Sequence, residues 1–139
     1  MKFIKTESQL VQILNTFFIS NEFQTVLEVP NLGQSVDLVA IKKNNLTFVE
    51  AKMSNWRRAI VQCKAHIFAA DYIYIGISSN SISKNFLSIS RDLGFGIIHV
   101  NPSTGECKIF LKPKCLKKSN WMPIRNIVKS KLEVLQNEY

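Results

Sequence analysis

The sequence predicts an α/β or α+β fold in which helices flank a mixed central sheet, formed by a single domain of 139 residues. Segments with helical periodicity alternate with short apolar segments typical of buried strands, in the order helix, three strands, helix, strand. The segment between the third and fourth strands is long enough for a crossover helix, which predicts a parallel pair there. We expect the core over residues 6 to 100 and a basic extension over residues 101 to 139.

The first helix is predicted from Glu7 to Ser20, because apolar residues recur at helical spacing and Thr6-x-x-Gln9 fits a capping box. The second of the next three strands contains VDLVAI, which is apolar on both faces and therefore indicates a central strand. Asn44-Asn45 is the expected hairpin turn, since asparagine tolerates positive φ. The three strands are predicted over Phe23–Val29, Ser35–Lys42 and Leu46–Met53.

The remainder of the chain continues the alternation of helices and strands. Ser54 or Asn55 can cap a helix that runs to about Ala70, and Gly94 fits the C-terminal position of the next helix. Pro123 fits the first turn of a final helix. The remaining predicted elements are a strand over Tyr72–Ile77, a helix over Lys84–Leu93, and strands over Phe95–Val100 and Glu106–Lys112.

The composition narrows the class of protein. The net charge of +8 favours binding to polyanions through phosphate contacts. No apolar run approaches the length of a membrane span, and the N-terminus lacks the apolar core of a signal peptide, so we expect a cytoplasmic protein with no membrane partner. Three widely spaced cysteines, Cys63, Cys107 and Cys115, predict reduced thiols rather than disulfides or a zinc site.

Three charged residues, Asp37, Glu50 and Lys52, interrupt the apolar strands. A turn at Asn44-Asn45 would place Asp37 opposite Lys52, with Glu50 as a diagonal neighbour on the same face. Two carboxylates in a half-buried site repel one another, and a divalent cation such as Mg²⁺ relieves that repulsion. The alternative is a solvated strand end, since charged residues are usually exposed for structural reasons.

The VD pair at residues 36–37 and Glu50-Ala51-Lys52 after a short hairpin resemble the PD-(D/E)XK nuclease superfamily, with Val36 in place of the proline. The resemblance covers Glu7 to Ile77 and implies a restriction-endonuclease-like αβββαβ core with a C-terminal strand-helix extension. It also implies Mg²⁺-dependent phosphodiester hydrolysis, in which Mn²⁺ can substitute. Asp37 and Glu50 would be the metal ligands, and Lys52 the water-activating lysine.

Further candidates follow from this resemblance. Gln62 would be the polar helix residue that supports catalysis, and plain surface polarity is its alternative. Glu7 would reach the metal from the first helix, although a capping or surface role is the commoner use of such an acid. We expect structural roles for His66 and His99, because a lone histidine is weak evidence for a metal. For Trp56, packing is commoner than stacking on bases.

The resulting hypothesis is a metal-dependent nuclease that acts on DNA in repair, recombination, restriction or defence, or mobile-element processing. The alternatives are a nuclease-fold module that binds DNA or a protein partner without turnover, and a nuclease directed at RNA. The resemblance also implies a homodimer or a nuclease-complex partner. The predicted nucleic-acid contacts are Arg57, Arg58, Lys64, Lys112, Lys114, Lys117 and Lys118, which would bind the phosphate backbone.

Overall fold

The structure, a computed structural model, describes residues 3–31, 33–116, 129–130 and 132–133. Its strands form a mixed sheet in the order β1-β2-β3-β4-β5-β6, in which β3, β4 and β5 run parallel and the other neighbours are antiparallel. This confirms the predicted α/β class and is consistent with a restriction-endonuclease-like core. The elements are α1 (Glu7–Ser20), β1 (Gln24–Asn31), β2 (Gln34–Lys42), β3 (Asn45–Lys52), α2 (Trp56–Lys64), β4 (Tyr72–Ile77), α3 (Lys84–Leu93), β5 (Gly96–Val100) and β6 (Cys107–Leu111).

Two apolar cores cover the two faces of the sheet. On one face, Leu10, Leu14 and Phe18 of α1 pack with residues of β2 and β3. On the other face, α2 and α3 contribute Ala59 and Phe86. Because strand side chains alternate, β2 and β3 contribute residues to both cores; β3 is buried along most of its length, and β2 is buried mainly in its middle. These two central strands hold the acids of the candidate site.

The predicted helix ends are confirmed for α1 and α3. Thr6 is the N-cap of α1 and forms the capping box with Gln9, while Gly94 ends α3 with a φ of 82°. Within the described part of the chain, no helix combines the length and apolar character needed to cross a membrane.

Helix α2 is shorter than predicted. Asn55 is its N-cap and accepts a hydrogen bond from the Arg58 backbone N–H at 3.2 Å, as expected. The helix ends at Lys64 rather than Ala70 because the next residues form tighter turns. The N–H of His66 donates to the carbonyl of Cys63 at 3.0 Å, three residues back.

The turn between β2 and β3 corrects the predicted strand register. The two turn residues are Lys43 and Asn44, with φ of 51° and 66°, so the prediction of Asn44-Asn45 was wrong by one residue. Positive φ at both positions matches a turn that suits the twist of antiparallel strands. Leu38 pairs with Val49, which places Asp37 opposite Glu50 rather than opposite Lys52.

The described residues include 101–116 of the predicted C-terminal extension and four residues further on. Strand β6 is one residue shorter at each end than expected. Residues 129–130 and 132–133 are helical, and Leu132 is buried in the core that contains α2 and α3. The predicted helix start at Pro123 lies outside the described residues.

Candidate active site

The candidate site is a cleft beside the end of the sheet where β2 starts and β3 ends. Asp37 follows Val36 at the start of β2, and Glu50 lies opposite it near the end of β3. Asp37 shares its strand face with Val39, and Glu50 shares its face with Phe48, so both acids lie on the side of the sheet that α2 covers. The cleft has a volume of about 480 Å³ and is lined by Gln34, Ser35, Asp37, Glu50, Arg58, Val61 and Gln62.

The ionised form of Asp37 is destabilised in this cleft. The pKa of Asp37 is raised to about 6, mainly by burial and to a lesser extent by the charge of Glu50 and a hydrogen bond between the two carboxyl groups. The Ala51 N–H donates to Asp37 Oδ2 at 2.8 Å and opposes the rise, as does the charge of Lys52. Glu50 is only 2% exposed. A bound cation would relieve this repulsion.

Lys52 lies near the two acids but pairs with Glu7. Its Nζ is 3.3 Å from Glu7 Oε1, and it does not belong to the residues that line the cleft. Glu7 is the first residue of α1, where its charge also suits the helix N-terminus. The structure therefore brings Glu7 to Lys52, whereas a direct contact between Glu7 and a metal stays a prediction.

Gln62 and Arg58 extend the cleft along α2. The Oε1 atom of Gln62 is buried and has no hydrogen-bond partner among the described residues. A buried acceptor without a partner is costly, which suggests that it accepts a hydrogen bond from a bound water or substrate. Arg58 adds a positive charge to the wall that holds Asp37 and Glu50.

The carboxylate oxygens of Asp37 and Glu50 fit a hard divalent cation that takes few of its ligands from the protein. The described residues contain no group of three or more His, Cys, Asp or Glu side chains that could hold a metal ion. A cation at Asp37 and Glu50 would take its other ligands from neutral oxygens and water, as Mg²⁺ commonly does. Cys63, Cys107 and Cys115 are free thiols, as predicted.

His66, for which the sequence predicted only a structural role, contacts an acid of this site. Its Nε2 lies 3.2 Å from Glu50 Oε1, and its Nδ1 lies 2.9 Å from Asn31 Nδ2. The three side chains come from β3, from the turn after α2 and from the end of β1. Nothing in the local sequence signals this contact, because it depends on how α2 ends and packs on the sheet.

The predicted nucleic-acid contacts divide over separate surfaces. Arg58 lines the cleft, Lys64 is exposed at the end of α2, and the Arg57 guanidinium lies 4.3 Å from the centre of the Trp56 ring. Lys112 instead lines a pocket at the opposite end of the sheet.

The other predicted basic contacts are Lys114, Lys117 and Lys118, which do not line the cleft or lie outside the described residues. Lys114 follows β6, and its N–H donates to the Gly94 carbonyl at 3.0 Å. Lys117 and Lys118 lie outside the described residues. Trp56 stacks on Phe86 with ring centres 5.2 Å apart, in agreement with the expected packing role.

Comparison of the structure with solved structures identifies proteins of similar fold. A protein of unknown function from Silicibacter pomeroyi aligns over 98% of this chain and 89% of its own, with a TM-score of 0.71 and 14% identity. An XisH family protein from Nostoc punctiforme aligns over 74% of this chain and 98% of its own, with a TM-score of 0.56 and 10% identity.

A repair endonuclease from Pyrococcus abyssi is also similar in fold. It aligns over 73% of this chain and 50% of its own, with a TM-score of 0.52 and 16% identity. No family model matches the chain, and no curated protein matches its sequence. At such low identities the similarity establishes the fold alone.

Proposed function

We propose that this chain is a Mg²⁺-dependent nuclease of the PD-(D/E)XK type that hydrolyses phosphodiester bonds in DNA, with Mn²⁺ as a substitute cation. Asp37 and Glu50 are the metal ligands, and Lys52 assists the reaction. The observation that carries the proposal is the meeting of two carboxyl groups in one cleft, where the pKa of Asp37 rises to about 6. Such a repulsive pair is expected at a cation site. The similarity in fold to a repair endonuclease supports the proposal.

Each residue has a role that follows from its place. Mg²⁺ held by Asp37 and Glu50 would supply Lewis acidity to the scissile phosphate. The Lys52 ammonium can donate hydrogen bonds to the attacking water or to a phosphate oxygen, and its ion pair with Glu7 limits where it can reach. Gln62 Oε1 is an available acceptor for the water, and Arg58 can bind a neighbouring phosphate.

The test is a cleavage assay on plasmid, single-stranded and branched DNA, with an RNA substrate in parallel, in Mg²⁺ or Mn²⁺. Glu50→Gln and Lys52→Gln are compared with the wild type. Glu106→Gln is the matched control for the acid, because Glu106 is an exposed acid in the β5–β6 turn and does not line the cleft. Lys43→Gln is the control for the lysine, because Lys43 lies in the turn at the opposite end of β3.

We expect the wild type and both controls to cut DNA and the two site variants to lose at least about 100-fold in rate, the usual effect of removing a group that stabilises the transition state. Equal cleavage by Glu50→Gln and the wild type would refute the site. Salt-dependent DNA binding without cleavage would identify a binding module of the same fold. Cleavage of RNA alone would change the substrate class.

A further inference from the structure

Glu50 is the last member of a buried chain of three hydrogen-bonded side chains. Its Oε1 lies 3.2 Å from His66 Nε2, and His66 Nδ1 lies 2.9 Å from Asn31 Nδ2. Glu50 and Asn31 are each 2% exposed, and His66 is fully buried. Because water does not reach these groups, each polar atom depends on the partner that the protein supplies.

The chemistry of Asn31 fixes the proton position on the imidazole. An amide nitrogen only donates hydrogen bonds, so Nδ1 of His66 must accept from Asn31 Nδ2. A neutral ring then carries its proton on Nε2, the nitrogen that faces Glu50 Oε1. The Phe48 ring packs against the His66 imidazole in an edge-on arrangement, with the two ring centres 5.5 Å apart.

We propose that His66 is a positioning residue that holds the Glu50 carboxylate in the orientation in which it binds the divalent cation. The inference rests on the proposed function, since it takes Glu50 as a metal ligand. The His66 donor occupies Oε1, which prevents the carboxylate from rotating and leaves Oε2 for the cation. Without that donor, the repulsion from Asp37 would favour a Glu50 side chain turned away from the shared site.

Two substitutions at His66 separate the contact with Glu50 from the contact with Asn31. A glutamine amide can place its nitrogen near the position of the imidazole Nε2, so His66→Gln can keep a donor for Glu50. The shorter side chain of His66→Asn reaches only the region of Nδ1 and leaves Glu50 without that donor. His99→Asn is the matched control, because His99 bonds to the Ser79 carbonyl at 2.6 Å and not to an acid.

The first measurement is Mn²⁺ binding to the metal-free full chain by calorimetry, with the melting temperature of each variant recorded. We expect His66→Asn to weaken Mn²⁺ binding by about 10-fold or more, the usual effect of removing a group that orients a metal ligand. His66→Gln should stay within about threefold of the wild type, and His99→Asn should bind as the wild type does. If His66 has a purely structural role, both His66 variants should have a lower melting temperature. Their Mn²⁺ affinities should then not depend on whether the new side chain can donate a hydrogen bond to Glu50.

The outcomes separate this inference from the proposed function. If the wild type cuts DNA and His66→Asn binds Mn²⁺ as tightly as the wild type, the positioning role is wrong and the proposed nuclease function is retained. Weaker Mn²⁺ binding by His66→Asn in a chain that cuts nothing would support the positioning role alone. If the wild type binds no Mn²⁺, both the metal site and the role of His66 are refuted.

A nitrogen-15 NMR spectrum of the wild type tests the same inference without a variant at His66. The chain has two histidines, so a His99→Asn sample assigns the remaining ring signals to His66. We expect a protonated Nε2 and an unprotonated Nδ1 in the neutral ring. An unprotonated Nε2 would overturn the proposal, because it could not donate to Glu50.

Discussion

Replacing Asp37 with asparagine should stabilise the metal-free protein at neutral pH, although it removes a proposed metal ligand. The asparagine Oδ1 can still accept the Ala51 N–H, which now donates to the Asp37 carboxylate at 2.8 Å. Its amide nitrogen can donate a hydrogen bond to Glu50, whereas in the wild type the carboxyl group of Asp37 faces that of Glu50. The substitution thus keeps the shape of the side chain and removes the repulsion.

The magnitude follows from the pKa of Asp37, which burial and Glu50 raise from 3.8 to about 6. Since one pKa unit corresponds to about 1.4 kcal/mol, full ionisation destabilises the fold by at most about 3 kcal/mol. Solvent screens part of this for a partly exposed group, so we expect Asp37→Asn to gain about 1–2 kcal/mol. For a domain of this size that raises the melting temperature by about 3–8 °C.

The sign of the pH dependence distinguishes this cause from a general change in packing. The folded state holds the Asp37 proton more tightly than the unfolded chain, so the wild type loses stability as the pH rises through about 4 to about 6. The variant lacks this titration. Its advantage should therefore be small near pH 4 and complete above about pH 7.

Urea unfolding at those two pH values, in the presence of a chelator, measures the effect. Asp92→Asn, which alters an exposed acid near the end of α3, is the matched control and should change little. Added Mg²⁺ should stabilise the wild type and have little effect on Asp37→Asn, because binding to the folded state raises its stability. A variant that is no more stable than the wild type at neutral pH, or whose gain is equal at both pH values, would show that ionised Asp37 does not destabilise the fold.

Three further predictions concern packing, an ion pair and a thiol. Gly76→Ala should lower the free energy of unfolding in urea by about 1–3 kcal/mol, because an added Cβ would lie 2.4 Å from Leu14 Cδ1 in a filled core; a neutral result would mean that Leu14 moves freely. Glu7→Gln should change that free energy by less than about 1 kcal/mol, since its ion pair with Lys52 is half exposed on the acid side; a larger loss would show that the pair is structurally essential. Cys63 should react with a thiol reagent only after unfolding, because burial raises its pKa and encloses it, and fast labelling of the native chain would contradict this.

Much of the fold could be predicted because local signals agreed with it. Periodicity and caps fixed α1 and α3 to the residue, and the apolar stretch of β4 was also predicted with its observed ends. Helix α2 was overextended because Ile67 and Ala70 continue a helical spacing, although tight turns replace the helix after Lys64. Periodicity describes which side chains face the core, and it does not detect where the backbone hydrogen bonding changes.

The candidate site was predicted less completely than the fold. Asp37 and Glu50 could be found because acids in buried strands are unusual, but their pairing was misplaced by the turn. Asparagine is the commoner residue at positive φ, so the sequence favoured Asn44-Asn45 over a turn that begins at Lys43. His66 could not be found in this way, since its contact with Glu50 joins segments that only tertiary packing brings together.

Apart from Glu7, the groups of the candidate site come from one continuous stretch of chain between Asn31 and His66. This stretch comprises a hairpin and the helix that follows it. Short loops join these elements, so bringing them together costs little loop-closure entropy. The site can therefore assemble early in folding, before α3 and the edge strand β6 are in place.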